Sequence, residues 1–510
     1  MRALRPDADE LRVVVGVLGR MFEATAGLHV PALVVAVAVG ELRDASALLL
    51  SATLALLAGR AARRLRAPDD ELRWSTGMVV VASTWLLVPV FVALPLWLSG
   101  HAVAPIDAYF DAMSGFTTSG LSLLQDLDHL GAGLQVLRHL THFAGGQGIV
   151  IVVLTVLARG AGGASTLLVG EGRDERVVPN VLRTARLIYL IAGAWAVVGS
   201  SVLVVTLLGS GLTPWRALLH GTTLFMAAFD TGGFSIMSSS VAYYHSAAVE
   251  AVLVVLMVAG ALSFPLHWLL WQRRVGDATR SLDLRTFATT TGLLGTLLVV
   301  GLAVHGTYAD AGALARKGVF TAVSAATGTG FTVVAPQAWG TWGQLGPAVV
   351  VALMGIGAMA GSTAGGVKTL RVGLLAKSVL ADVRRALAPT SQVVVATHRS
   401  LRRTSIVDDG QARSAFVVTL LFLGCYLAGA LVGVFEGASI EAALFESVSA
   451  SANVGLTIGV LVPEASTLLK AVAVVQMWLG RLEFLAAFAL VGWVWQLGAA
   501  GASDVRTRLA

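Results

Sequence analysis

Scarcity of charge and of cysteine narrows the class of this chain. Only 13% of its 510 residues are charged and a single one, Cys425, is a cysteine. One thiol excludes an intrachain disulfide framework; lying inside an apolar run, Cys425 reads as a small core residue. Charge this sparse, with 56% hydrophobic residues and a mean hydropathy of +0.78, excludes a soluble globular domain and predicts a polytopic membrane protein. Prolines number 13 against 56 glycines, and in a membrane chain such a glycine excess lets helices approach closely. Residues 1–20 carry charge without a clean apolar core, so no cleavable signal is expected. The His-Glu-x-x-His zinc pattern is missing and the acidic residues of the apolar runs are scattered. An intramembrane enzyme, such as a lipid-linked transferase, would want a pair of carboxylates or a nucleophile with its base, so no enzymatic activity is expected. The net charge of +6 comes from arginines clustered beside apolar runs, which the positive-inside rule explains without a nucleic-acid partner.

What the sequence does contain is a repeat. Met113-Ser-Gly-Phe-Thr-Thr-Ser-Gly120-Leu recurs in altered form as Ala228-Phe-Asp-Thr-Gly-Gly233-Phe, Ser324-Ala-Ala-Thr-Gly-Thr-Gly330-Phe and Ser449-Ala-Ser-Ala-Asn-Val-Gly455-Leu. Each copy reads as a short small-residue helix running into an irregular segment that ends on glycine, between apolar runs long enough to cross a bilayer. Irregular backbone at membrane depth is tolerated only where it is buried in protein or lines a wet cavity. The expected fold is therefore all-α: four helix–pore loop–helix units around one pore, preceded by a two-helix accessory hairpin.

The leading segment, 1–70, holds Arg2, Arg5, Arg12 and Arg20, which place the N-terminus in the cytoplasm. Two apolar stretches follow at 27–41 and 45–60, joined by a tight turn from Glu41 to Asp44 and closed by Arg60, Arg63, Arg64 and Arg66. Both fall short of the about 20 residues a spanning helix needs, so tilting or local bilayer thinning is expected. The repeats occupy 71–175, 176–280, 281–400 and 401–510. Outer helix, pore segment and inner helix are expected at 76–98, 106–120 and 135–158; at 186–209, 215–233 and 246–271; at 287–305, 312–330 and 345–376; and at 414–435, 441–455 and 467–497. That makes about ten spanning helices. The loops this topology assigns to the cytoplasm hold Arg159, Arg173, Arg176, Arg183, Arg186, Arg273, Arg274, Arg280, Arg285, Lys377, Arg384, Arg385, Arg399, Arg402 and Arg403. The opposite face holds few cations, such as Arg216, Arg316, Lys317 and Lys470.

A partly dehydrated cation needs oxygen ligands, and a strand of backbone carbonyls supplies them without mobile charge. Glycine permits the φ > 0 geometry that turns carbonyls toward an axis, and the short helices aim the negative ends of their dipoles at the same point. The candidate ion-binding residues are Thr117, Thr118, Ser119 and Gly120; Asp230, Thr231, Gly232 and Gly233; Thr327, Gly328, Thr329 and Gly330; and Ala452, Asn453, Val454 and Gly455.

These four segments, with Gly361-Ser-Thr-Ala-Gly-Gly-Val-Lys-Thr369 and Leu479-Gly-Arg-Leu-Glu-Phe484, make the chain resemble, over nearly its whole length, the superfamily of potassium transporters that includes bacterial Trk and Ktr membrane subunits and plant HKT proteins. The hairpin and the Gly-Arg-Leu-Glu sequence are more similar to the TrkH branch than to KtrB. The resemblance implies potassium uptake across the cytoplasmic (inner) membrane of a bacterium, with K⁺ at the filter residues and no cofactor on this chain. It also implies a homodimer with one pore per protomer, docked on a cytoplasmic TrkA-type RCK regulatory subunit that would carry the nucleotide. A less selective Na⁺/K⁺ pathway is the alternative. Sodium-selective plant members replace the first filter glycine by serine, so glycine at 120, 233, 330 and 455 implies a preference for K⁺.

By the same resemblance Gly357, Gly361, Ser362, Thr363, Ala364, Gly365, Gly366 and Lys368 form an intramembrane gating loop, with Arg481 projecting into the pore beside it. Gly361-x4-Gly366 followed by Lys368-Thr369 comes near a phosphate-binding loop, but Val367 separates glycine from lysine and no strand precedes, so no nucleotide is expected there. An ionisable group in an apolar run needs water or a partner, and for Arg481 the candidate partners are Glu483 and Asp111. Arg138 and His142 read as interface packing; His139 and His142 stand at i, i+3 without a third metal ligand. The filters depart from the family pattern twice. Asp230-Thr231 stands where Cys-Asn or Asn-Asn is common, and Thr327-Gly328-Thr329 replaces a more usual Arg-Thr-Ala. Asp230 either raises cation occupancy or hydrogen-bonds neighbouring amides.

Overall fold

The computed structural model describes residues 8–65, 74–148, 181–389, 391–400 and 403–509. The leading hairpin is α1 (Ala8–Val39) and α2 (Leu42–Arg63), both longer than the sequence pattern indicates. From Ala8 on, the leading segment is not separate from the hairpin, because Val13, Val14, Val17, Leu18 and Met21 form one buried stripe of α1 between Arg12 and Arg20. With 32 and 22 residues, the two helices are long enough to cross a bilayer. Gly19 and Gly59 meet at the crossing, each leaving the space into which the other's carbonyl oxygen fits.

Each repeat has an outer helix, a pore helix and an inner element. The outer helices are α3 (Trp74–Leu98), α6 (Val181–Gly209), α10 (Leu282–Val304) and α14 (Asp409–Phe435). The pore helices are α4 (Pro105–Phe116), α7 (Pro214–Phe229), α11 (Ala311–Thr327) and α15 (Ile440–Ser451). The inner elements are α5 (Ala132–Gly146), α8 (Ala247–Ala261) with α9 (Phe264–Trp271), α12 (Leu345–Ile356) with α13 (Thr369–Leu387), and α16 (Thr467–Leu482) with α17 (Leu485–Leu509). Among the described residues six helices are long and apolar enough to cross a membrane, or eight if each bent pair counts as one span. Val197, Val205, Leu293, Val300, Leu427 and Leu431 stay exposed on the outer helices, as befits a polytopic membrane protein facing lipid.

The continuous inner helices expected at 246–271 and 467–497 are instead broken, by 105° and 114°. In the second repeat the break at Leu262-Ser263 precedes Pro265, which has no N–H to donate and sits in the first turn of α9. In the fourth, Glu483 and Phe484 adopt φ of 49° and 72°, and the Glu483 carboxylate is tied to Arg371 of α13. The first inner helix was expected to reach 158; residues beyond 148, with Arg159, Arg173 and Arg176, lie outside the described residues. Two of the outer-face cations prove to be clamps between neighbouring repeats. Lys470 pairs with Asp107 of α4 at 2.6 Å, and Arg316 of α11 with Glu250 of α8 at 2.5 Å.

An antiparallel hairpin, β1 (Thr397–Ser400) and β2 (Arg403–Ile406), follows α13. It was not anticipated from the sequence. Arg399 pairs with Asp277 at 2.6 Å and Lys377 Nζ donates to Thr397 O at 2.6 Å, so both cations have structural duties besides topology.

The accessory hairpin is joined to the first repeat by the Glu41 carboxylate, which accepts from Ala132 N (2.8 Å) and Gly133 N (3.1 Å) at the start of α5. It satisfies otherwise orphaned amides and opposes the helix dipole. Replacing Glu41 by Ala should cost about 1 kcal/mol. A lowered thermal midpoint of the full chain in detergent is expected; an unchanged midpoint would mean that water replaces this cap without loss.

Candidate ion-conduction site

All four pore helices end the same way. The N–H of Ser119, Gly232, Thr329 and Val454 bonds back to the carbonyl of Ser114, Ala227, Ser324 and Ser449 at 2.8–3.0 Å. One residue earlier, the N–H of Thr118, Thr231, Gly328 and Asn453 reaches Gly115, Ala228, Ala325 and Ala450. This is the paired closure of a helix on a left-handed residue, and Thr118, Thr231, Gly328 and Asn453 have φ of 54°, 50°, 72° and 55°. The sequence pattern had marked only the terminal glycines as left-handed. Gly328 in the third copy is the residue best suited to this position, which accounts for its departure from the family pattern.

Two residues on, Gly120, Gly233, Gly330 and Gly455 are left-handed again, at 78°, 73°, 82° and 97°. A β-carbon on Gly120 would strike the carbonyl oxygen of Gly232; on Gly233, that of Thr329; on Gly330, that of Val454; and on Gly455, that of Ser119. The four segments therefore form one closed ring in chain order, with backbone lying on backbone at each junction. Thr117, Thr118, Ser119, Asp230, Thr231, Thr327, Thr329, Asn453 and Val454 are wholly buried and Ala452 nearly so, whereas the four terminal glycines are partly accessible. The ring opens to solvent only through its glycines. Asn453 Nδ2 closes the last junction with a 2.8 Å bond to Ser119 Oγ, and hydroxyl pairs Thr117–Ser119 and Thr327–Thr329, each 2.8 Å, brace opposite quarters.

The side chains around the ring hold it rather than line it. Asp230 Oδ1 accepts from Gln147 Nε2 at 2.6 Å, and its side chain packs on Gly146, at the end of α5. Arg138 packs where the first two repeats meet: it pairs with Asp111 at 2.9 Å and lies over the Phe234 ring at 4.1 Å. His142 stacks on Phe234 with centroids 4.1 Å apart, its ring facing Gly232.

Beneath the ring, residues 357–368 interrupt the third inner element, with Gly357, Gly361, Gly366 and Lys368 at positive φ. This loop is seated in the break of the second inner helix. Met359 N donates to Ala261 O (3.3 Å), Thr363 N and Oγ1 to Gly260 O (3.4 and 3.0 Å), and Phe264 N to Gly361 O (3.3 Å). Thr363 Oγ1 also meets Phe229 O and Thr231 Oγ1 at 3.1 Å, while Gly365 lies against Ala452 O and Ala364 against Gly328. Ser362 Oγ closes on Met359 O at 2.7 Å. Asp283 anchors the loop ends by accepting from Ala360 N (2.9 Å) and Thr369 Oγ1 (2.6 Å). Arg481 bonds to neither expected partner: Asp111 holds Arg138 and Glu483 holds Arg371. Its guanidinium instead donates to Thr363 O (2.7 Å), Gly145 O (2.5 Å) and Thr118 Oγ1 (3.2 Å), joining the 357–368 loop, the first inner helix and the first glycine-ended segment. Lys368 Nζ donates to the next loop carbonyl, that of Ala364.

Three glycines escaped the sequence reading. Gly145, Gly260 and Gly480 lie against the carbonyls of Phe116, Phe229 and Ser451, at the ends of their own pore helices. The signal available was their recurrence at similar distances after the filter glycines.

The chain is similar to known proteins. Residues 46–491 fit the family model TrkH, described as a cation transport protein. An uncharacterized cation transporter of Methanocaldococcus jannaschii is 30% identical over 81% of this chain and 81% of its own. A protein of Halomonas elongata named Trk system potassium uptake protein TrkH is 29% identical over 82% of this chain and 86% of its own. The crystal structure of the potassium transporter TrkH from Vibrio parahaemolyticus superposes with a TM-score of 0.79 at 22% identity, covering 94% of this chain and 98% of that one, a likeness of fold.

Because the space beside Gly120 is filled by the Gly232 carbonyl, Gly120→Ser and Gly120→Ala should both distort the ring, quite apart from the strain of about 1 kcal/mol or more for a β-carbon at positive φ. The Rb⁺:Na⁺ flux ratio of reconstituted protein should fall in both variants. An equal ratio in wild type and variants would mean that Gly120 does not shape the filter.

Proposed function

From the premise that the chain belongs to the TrkH family of cation transport proteins, we propose that it takes up potassium ions through the ring formed by its four filter segments. The observation that carries this reading is the closed backbone ring whose glycines alone reach solvent. The Halomonas elongata relative, named a potassium uptake protein, supports the choice of ion. An ion entering from the open side sheds water against carbonyl oxygens that are fixed in advance, and the C-terminal ends of α4, α7, α11 and α15 favour positive charge at the same place.

The loop at 357–368 acts as the gate. Its Thr363 and Ala364 carbonyls are engaged by Arg481 and Lys368, so the loop is latched and two fixed cations stand beside the path. Opening requires that these bonds be released, and α13, which continues from the loop to the β-hairpin, is the element through which a cytoplasmic partner would pull. That partner is a TrkA-type regulatory subunit carrying the nucleotide, and the chain works as a homodimer with one pore per protomer. The setting is the inner membrane of a bacterium, with the N-terminus in the cytoplasm.

Expression in a bacterial strain lacking potassium uptake should restore growth at low external K⁺; protein present in the membrane without rescue would contradict the function. In reconstituted protein, Arg481→Ala and deletion of residues 362–364 should each raise basal flux. Unchanged flux in folded variants would remove the loop as the barrier.

A further inference from the structure

Two carboxylates of the pore helices stand behind the ring, and one of them, Asp111, is the partner of Arg138. Asp111 stands nine residues ahead of Gly120 and Glu446 nine ahead of Gly455, the same register in the first and fourth repeats. Both are buried, at 0% and 3% exposure. Each takes the hydroxyl two residues after its filter glycine: Ser122 Oγ donates to Asp111 Oδ1 at 2.5 Å, and Thr457 Oγ1 to Glu446 Oε1 at 2.5 Å. Glu446 Oε1 also accepts from Ile458 N, Gly459 N and Val460 N at 3.0, 3.1 and 3.2 Å. Asp111 is fixed by Arg138, whose Nη2 lies 3.2 Å from its Oδ1 and 3.2 Å from Ser122 Oγ.

A hydroxyl occupies the same place after the other two filter glycines, as Ser235 and Thr332, but the matching pore-helix positions are Leu224 and Thr321. The exit of the second filter is held from α5 instead, by Gln135 Nε2 on Ile236 O (3.1 Å) and Arg138 Nη1 on Ser235 O (3.4 Å). The exit of the third is held by neutral groups: Ser324 Oγ on Phe331 O (2.7 Å) and Thr332 N on Ser240 Oγ (3.3 Å).

We infer that Asp111 and Glu446 are positioning residues for ion selection, each fastening the strand that leaves its filter back onto its own pore helix. The filter residues are then pinned at both ends, by the helix closure before them and the carboxylate after them. The glycine carbonyl between cannot relax toward a smaller ion or away from a larger one. The guanidinium of Arg138 makes the hold on Asp111 charge-assisted, and leaving the three amides at Glu446 unmade inside the protein is costly. The first and fourth segments adjoin in the ring, so the two carboxylates stiffen one half of it. The third segment, whose repeat carries the gating loop, is left to neutral bonds.

The inference rests on the reading of the ring as a selective filter, and the test separates the two. Full-length protein is reconstituted in liposomes and Rb⁺ and Na⁺ uptake are measured for wild type, Glu446→Ala, Glu446→Gln, Thr457→Val and Leu302→Ala, the last a buried residue of outer helix α10. Wild type without preference for Rb⁺ would overturn the filter reading before any variant is compared. Given that preference, Glu446→Ala should lower the Rb⁺:Na⁺ ratio about fivefold or more, the factor that corresponds to roughly 1 kcal/mol. Glu446→Gln should keep it near wild type, because Oε1 receives all four bonds and an amide oxygen can replace it. Leu302→Ala should lower the thermal midpoint and leave the ratio unmoved. If Glu446→Ala does not fold, Thr457→Val, which removes one donor, should shift the ratio in the same direction by less. A folded Glu446→Ala with the wild-type ratio would overturn the inference, as would a Gln variant as impaired as the Ala, an equal fall in Leu302→Ala, or, where Glu446→Ala does not fold, an unmoved ratio in Thr457→Val.

Discussion

The structure depends on backbone lying against backbone at four points where no side chain fits. At each junction of the ring a carbonyl oxygen occupies the space that a β-carbon would fill on the glycine of the preceding repeat. Packing this close is available only to glycine, and the same conformational freedom lets each glycine take φ > 0 without strain. Below the ring the device is used again, with Gly145, Gly260 and Gly480 seated on the last carbonyls of their pore helices. A bilayer offers no water to unpaired peptide groups, so irregular backbone persists here only because protein encloses it on every side but the axis.

The breaks in the inner helices follow from the same constraint. A helix interrupted at membrane depth leaves carbonyls and amides unmatched, and the second and third repeats resolve this together: the break at Leu262-Ser263 and the loop at 357–368 bond to one another. The fourth break carries Arg481, whose guanidinium takes carbonyls from the first and third repeats at once. A cation at this depth is tolerated because oxygen acceptors meet it, and its location ties the loop to the ring.

Much of this was legible in the sequence. Four copies of a small-residue helix ending on glycine, each between apolar runs, gave the membrane fold, the pore helices and the ring, since only glycine suits those four positions. The limits of that reading were physical. Hydropathy does not register a bend, so 246–271 read as one helix although Pro265 stood inside it, and nothing local announces left-handed Glu483 and Phe484. Arg12 and Arg20 hid the buried stripe of α1, because long cationic side chains can leave an apolar face intact. Partners distant in sequence were beyond reach: Asp111 and Glu483 were weighed for Arg481, but three-dimensional packing gives the first to Arg138 and the second to Arg371.

The central claim is that backbone carbonyls of this ring bind a dehydrated potassium ion on its axis. Diffraction from crystals grown in Rb⁺, measured at the rubidium absorption edge, tests it most directly. The account predicts anomalous density on the axis of the ring at the level of Gly120, Gly233, Gly330 and Gly455, lost when Na⁺ replaces Rb⁺. An axis without anomalous density, in protein that still transports Rb⁺, would contradict it.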